Sequence, residues 1–197
     1  MRKLTVDDIV DMRAYERERE ELRRGIIDLK RIRRIALGSI MTMVFENTVT
    51  MRWQVQEMAR AERMLTDDQI AHEVDTYNQL IPDAGELSAT LMIELTSEPA
   101  LREWLPRLVG IEHHVAVVLA DGTRVVGASS AEDEMRLTRD DITAAVHFLR
   151  FHFTASDVEM FASGPVHVVV DHPEYDQDVM LTPDQHAELL SDLHDLS

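Results

Sequence analysis

No cysteine occurs among the 197 residues. Disulfides, thiolate nucleophiles and any iron–sulfur cluster or zinc site held by this chain's own sulfur are therefore excluded. Any metal would have to sit on His, Asp or Glu. Glycine (7) and proline (6) are sparse and 45% of residues are apolar, which is the composition of a folded protein rather than a disordered or low-complexity one. Long hydrophobic runs are also missing. The longest reaches only from Val115 to Ala120, and the opening Met1-Arg2-Lys3-Leu4-Thr5-Val6-Asp7-Asp8 has no apolar stretch of the signal-peptide kind. These features predict a cytoplasmic protein with no membrane partner.

The few glycines never form a phosphate-cradling series, and the sequence contains no G-x-S-x-G elbow and no H-E-x-x-H zinc helix. Glu-x-x-His pairs, which would suggest a di-iron bundle, are missing too. Positive charge is scarce: 20 Lys and Arg stand against 37 Asp and Glu, for a formal charge of −17. The deficit is uneven, since residues 1–36 carry eleven basic and eight acidic side chains and the remainder nine against twenty-nine. After Arg150 there is no Lys or Arg at all. Such a surface repels a phosphate backbone, so no nucleic-acid partner is expected, the Arg-rich first helix being the one place where the sign reverses.

What is present reads as a single α+β domain over residues 1–197, with a mainly helical layer (1–82) packed on a sheet-rich remainder (83–197) whose sheet is mainly antiparallel. Thr5 with Asp8 resembles a capping box and predicts a helix from Thr5 to about Leu37, with Ile9, Met12, Leu22, Ile26 and Leu29 on its apolar stripe. The run Lys30-Arg31-Ile32-Arg33-Arg34 suits the negative end of a helix dipole. Ile40–Glu46 predicts a strand, Thr50–Arg63 a helix, and Thr66-Asp67-Asp68-Gln69 a second box opening a helix that ends before Pro82. Leu87, Ala89, Leu91, Ile93 and Leu95 alternate as in a half-buried strand. Ser97 caps a short helix that Pro106 kinks or shortens. Asp121-Gly122 predicts a two-residue hairpin loop between Val115–Ala120 and Thr123–Ala128. Thr138 with Asp141 predicts a helix through about His147, Phe151–Phe161 and Val166–Val170 look extended, and Thr182-Pro183-Asp184-Gln185 starts a closing helix with Ala187, Leu190 and Leu193 inward.

Two constellations carry candidate chemistry. Five of nine histidines fall between His147 and His186. If the strand around His152 pairs with the one around His167, then His147, His152, His167 and His172 converge with Asp171 or Glu174 on Fe, Zn or Mn, because imidazole and carboxylate suit those ions. Against this, a spacing of five has no defined metal-site geometry, and surface or strand-partner histidines account for the same letters. The second constellation is Glu46 at a strand end, followed on the next helix by Arg52, Gln54, Gln56, Glu57 and Arg60. A helix flank so rich in amides and paired charges can line a pocket, Arg orienting an anionic substrate and Glu57 serving as base or ligand. A solvated face with intrahelical ion pairs, common and cheap, explains the same residues.

The segments Leu4-Thr5-Val6-Asp7-Asp8-Ile9, Arg13-Ala14-Tyr15-Glu16-Arg17, Val44-Phe45-Glu46-Asn47, Gln54-Val55-Gln56-Glu57-Met58-Ala59-Arg60-Ala61-Glu62, Tyr77-Asn78 and Gly85-Glu86-Leu87-Ser88-Ala89-Thr90-Leu91 together resemble an uncharacterised bacterial family of about this length. The likeness covers most of the chain and is most specific over Gln54–Glu62. It is similar to the family whose genes often neighbour those for a heterodisulfide-reductase-like iron–sulfur protein and a rubrerythrin-like protein. The resemblance implies a redox or oxidative-stress setting and those two proteins as partners, and it implies no catalytic residue. Two functions follow as expectations: an accessory interaction protein docking through its acidic surface, or a metal-dependent (Fe, Zn or Mn) enzyme or metal carrier. A homo-oligomer stays open.

Overall fold

The structure, a computed structural model, describes residues 1–129 and 141–194. A 3-10 turn (Val6–Asp8) leads into α1 (Met12–Arg33), β1 (Arg34–Leu37), β2 (Met41–Glu46), α2 (Thr48–Ala61), α3 (Asp67–Asn78), β3 (Glu86–Ile93) and α4 (Glu98–Arg107). A second 3-10 turn (Ile111–His114) precedes β4 (Val115–Val118), β5 (Arg124–Val126), β6 (Val146–His152), α5 (Ala155–Ser163), β7 (His167–His172), β8 (Tyr175–Met180) and α6 (Pro183–His194). The fold is α+β, with two four-stranded antiparallel sheets ordered β1-β2-β3-β6 and β5-β4-β7-β8.

Alternation along the strands builds the core. Met41, Met43 and Phe45 of β2, Leu87, Ala89, Leu91 and Ile93 of β3, and Leu149 and Phe151 of β6 meet Val115, Val117, Val168 and Val170 of the other sheet in one apolar cluster. α5 and α6 add Phe161, Leu189 and Leu193 to it. A smaller cluster of Leu4, Met51, Val55, Val74 and Ile81 ties the N-terminal segment to α2 and α3. The sheets are stitched at two seams. Ala128 bridges to Arg150 of β6, and Tyr175 of β8 donates its hydroxyl to the Leu37 carbonyl at 2.6 Å. Residues 1–82 hold α1, α2 and α3 together with β1 and β2, and β2 lies where the strand Ile40–Glu46 was expected.

Several local expectations are corrected. The Thr5–Asp8 capping box exists, but it closes only the 3-10 turn; α1 starts at Met12, capped by Asp11, and yields to β1 at Arg34. The Asp121-Gly122 loop has three residues: Gly122 donates to Leu119 O at 2.9 Å, Leu119 donates to Thr123 O at 2.9 Å, and only Gly122 has positive φ (87°). That is a type I turn closed by a glycine bulge. Residues 146–152 form β6, not the end of a helix, and the expected helix start at Thr138 lies outside the described residues. The expected extended run Phe151–Phe161 breaks at Thr154, whose side chain and Asp157 form a capping box for α5. In α6, Leu189, Asp192 and Leu193 are buried and Ala187 is exposed.

Candidate functional site

Gln54, Gln56, Glu57 and Arg60 project from α2, and the structure shows what most of this polar flank engages. Glu57 Oε1 accepts from the Tyr15 hydroxyl at 2.6 Å and from Arg19 Nε at 2.8 Å, while Oε2 accepts from the other Arg19 nitrogen at 2.8 Å. This bidentate fork across two helices is the strong geometry for a carboxylate. Arg60 donates to Glu16 at 2.5 Å, and Gln56 exchanges two bonds with the Val10 backbone, at 2.9 and 3.1 Å. Arg52 donates to the Asp8 carbonyl at 2.8 Å. Gln54 bonds to Tyr77 on α3. The flank thus clamps the N-terminal segment and α1 onto α2, and its ion pairs run between helices rather than within one.

Electrostatics follow from that clamp. The Arg19 guanidinium holds the Glu57 carboxyl down to about 2, against burial, which pushes it up, and Tyr15 lowers it further. Burial raises the Tyr15 phenol, with Glu57 adding to the rise. Glu57 is ionised over the physiological range and both its oxygens are occupied, which makes it a poor proton acceptor. A carboxyl whose folded pKa lies below its ordinary 4.5 contributes stability that is whole above that value and drains as pH falls toward 2. Glu57→Gln is accordingly expected to cost about 1–2 kcal/mol at pH 7 and to flatten this acid limb, as read from urea unfolding at pH 7 and pH 3. An unchanged acid limb would contradict the clamp.

Glu46 sits apart from this flank, 6% exposed, taking a hydrogen bond from Thr90 at 3.0 Å on Oε1. Beside it lies a buried ionic cluster. The side chain of Arg33, the last residue of α1, has no exposed surface. Its Nε donates to Phe45 O at 2.8 Å, and its terminal nitrogens reach Glu46 O (3.2 Å), Glu188 (2.8 Å) and Asp192. Burial raises the Asp192 pKa and Arg33 opposes that rise.

The histidine expectation is corrected by strand order. β6 pairs with β3, and β7 lies in the other sheet, so the strands carrying His152 and His167 are not neighbours. An odd spacing of five on a strand also puts the two members of each pair on opposite faces. His147 is 1% exposed, with Nε2 at 3.0 Å from Thr143 Oγ1 and from Ala144 O, and Nδ1 3.8 Å from Glu112. Burial lowers its pKa, Glu112 partly opposing. His152 is exposed beside Glu86 at 2.9 Å, and His167 meets Asp178 at 2.5 Å. His172 accepts from Glu174 N at 3.2 Å on Nδ1, and its Nε2 lies 3.2 Å from Val109 O. Asp171 pairs with Arg124 and His114, and the Glu174 side chain with Arg107. Among the described residues no three His, Asp or Glu side chains gather as a metal site.

A family described as "Protein of unknown function (DUF3501)" matches residues 3–193, the span that holds the α2 clamp, the Arg33 cluster and both sheets. The chain belongs to this family. A crystal structure of a novel protein of unknown function from Burkholderia pseudomallei K96243 is similar to it, with 35% identity, a TM-score of 0.89 and coverage of 98% of this chain and 100% of that one. No curated protein matches. This likeness extends over the whole two-sheet architecture.

Arg33 was expected only as a dipole-suited cation and its burial against Asp192 was not, although a signal existed. Arg33 continues the apolar stripe of Leu22, Ile26 and Leu29 at helical spacing, and a charge on such a stripe is a buried-pair candidate.

Proposed function

We propose that this member of the family is a cytoplasmic accessory protein of an iron–sulfur and rubrerythrin-linked redox or oxidative-stress system, docking on a basic patch of its partner through an acidic surface. The observation that carries the reading is how the few cations beyond residue 36 are spent. Of the nine, Arg60, Arg102, Arg107, Arg124 and Arg150 each already hold a carboxylate of this chain, at distances of 2.5–2.7 Å. The surplus of carboxylates is therefore left facing solvent, as at exposed Asp67, Asp68, Asp75, Asp176 and Asp184. A surface of one sign steers a complementary partner and speeds encounter. The α2 flank, by contrast, is occupied in holding helices together. No helix among the described residues is long and apolar enough to cross a membrane.

The test is a pull-down of the purified heterodisulfide-reductase-like protein from the same genome, repeated across a salt series. Retention at about 50 mM salt that disappears by about 500 mM is the expected result, since a Debye length of roughly 4 Å screens exposed charges. Absence of retention at low salt contradicts the proposal.

A further inference from the structure

α1 is 22 residues long, yet only Tyr15 and Arg33 on it are buried. Between these two anchors a groove of about 680 Å³ opens along its C-terminal half. Ile26, Ile27 and Trp53 of α2 supply its apolar lining, and Ile27 is 51% exposed. Arg23, Lys30, Arg31 and Arg34 supply its positive charge, and the one carboxylate among the described residues of its lining, Glu57, is already held by Arg19. Arg23 and Lys30 have no carboxylate partner among the described residues. Arg31 meets Asp28 only at 3.6 Å, both side chains more than two-thirds exposed, and Arg34 meets Glu94 at 3.2 Å. In a chain of charge −17 this is a local concentration of under-used positive charge around exposed apolar side chains.

We infer that this groove receives an acidic amphipathic helix of a partner protein, its apolar stripe on Ile26, Ile27 and Trp53 and its carboxylates on Arg23, Lys30, Arg31 and Arg34. Charge complementarity selects the sign of the occupant. The groove is an open trough, so a slender small molecule would stay half wet, whereas a helix about 10 Å across covers both walls. A strand is disfavoured because the neighbouring edge is already blocked: the carbonyls of Arg34 and Leu37 on β1 accept from Gln185 at 3.0 Å and from Tyr175 at 2.6 Å. Trp and Arg are also residue types enriched among those that carry interface binding energy. This docking site is separate from the acidic surface and does not depend on the redox setting.

The probe is a fluorescein-labelled 18-residue model helix with Leu at i, i+3, i+4 and i+7 and Glu on its flanks, beside a counterpart with Lys in place of Glu. Anisotropy with the full chain is expected to saturate for the Glu helix and not for the Lys helix. The Lys30→Glu/Arg31→Glu double variant, and separately Ile27→Asp, are expected to weaken binding at least tenfold while each variant still unfolds cooperatively well above the assay temperature. No saturation with the Glu helix, equal response to both helices, or binding indifferent to both variants overturns the inference. So does sedimentation of the wild type as a dimer that the charge reversal dissociates, because the occupant would then be a second copy of this chain. Neither result bears on the salt-series pull-down, which reads the acidic surface.

Discussion

Arg33→Ala is expected to cost about 3–5 kcal/mol of folding stability in urea unfolding, the largest effect of any single polar substitution in this chain. The reason is the state it leaves behind. Arg33 is the common partner of Asp192, Glu188 and the Phe45 and Glu46 carbonyls, all brought together where α1, β2 and α6 meet. Removing one member of a buried ionic cluster strands the others without their compensating charge, which costs more than the cluster contributes net. The deficit should also depend on pH with a definite sign. Burial holds the Asp192 pKa above its ordinary value, so without Arg33 the carboxyl takes up a proton more readily, and the protonated form no longer needs a cation. The stability of Arg33→Ala should therefore fall as pH rises through the folded pKa of Asp192, and its gap from wild type should narrow in acid. Asp192→Asn in the same background should recover part of the loss. A deficit below about 1 kcal/mol would show that the cluster is solvated and that the junction is held by apolar contacts alone.

Gly38→Ala is expected to be the next most damaging change, at about 2–4 kcal/mol. Gly38 lies in the β1–β2 turn at φ +72°, a conformation that costs an ordinary L residue about 1–2 kcal/mol. A Cβ there would also fall on the Tyr175 hydroxyl and within 2.7–2.8 Å of the Gln177 side-chain amide. Tyr175 cannot yield freely, because its hydroxyl donates to Leu37 O and so fastens β8 of one sheet to β1 of the other. The strain and the lost seam add. Calorimetry should show a lowered midpoint, and Tyr175→Phe should remove part of the extra penalty of Gly38→Ala, since the two share one contact. Additive losses would place the whole cost in the backbone.

The elements legible in the sequence were those set by contacts three or four residues apart. Thr66 with Gln69, Ser97 and Thr182 with Gln185 cap the helices expected of them, because a capping bond is local. The same locality misleads at Thr5 and Asp8, where a genuine box closes only a 3-10 turn. Thr154 with Asp157 shows the converse: apolar Phe151, Phe153 and Phe161 suggested an extended run that the box at its centre interrupts. β8 was missed because Tyr175-Asp176-Gln177-Asp178 is too polar for a central strand. It is an edge strand, and Asp176 and Asp178 point to solvent.

For the candidate site, the residue choice carried information while the partners did not. The richness of Gln54–Arg60 in polar groups was visible, and the ion pairs were expected along the helix. They run instead from Glu57 to Arg19 and from Arg60 to Glu16, separations of 38 and 44 residues. The register of α1 over α2 determines those pairs, and no local pattern encodes it. The histidines failed for the same reason, because whether His152 and His167 lie on neighbouring strands is a matter of strand order. Charge, being a sum, survives any arrangement of the chain, and this is why the acidic surface could be argued before the fold was known.

The proposed charge-steered docking stands or falls on the association rate constant with the purified heterodisulfide-reductase-like protein, measured by stopped flow against ionic strength. Steered docking should give an association rate that falls steeply, by tenfold or more between about 50 and 300 mM salt, with a dissociation rate that scarcely changes. An association rate flat across that range, with affinity governed by dissociation alone, would contradict it.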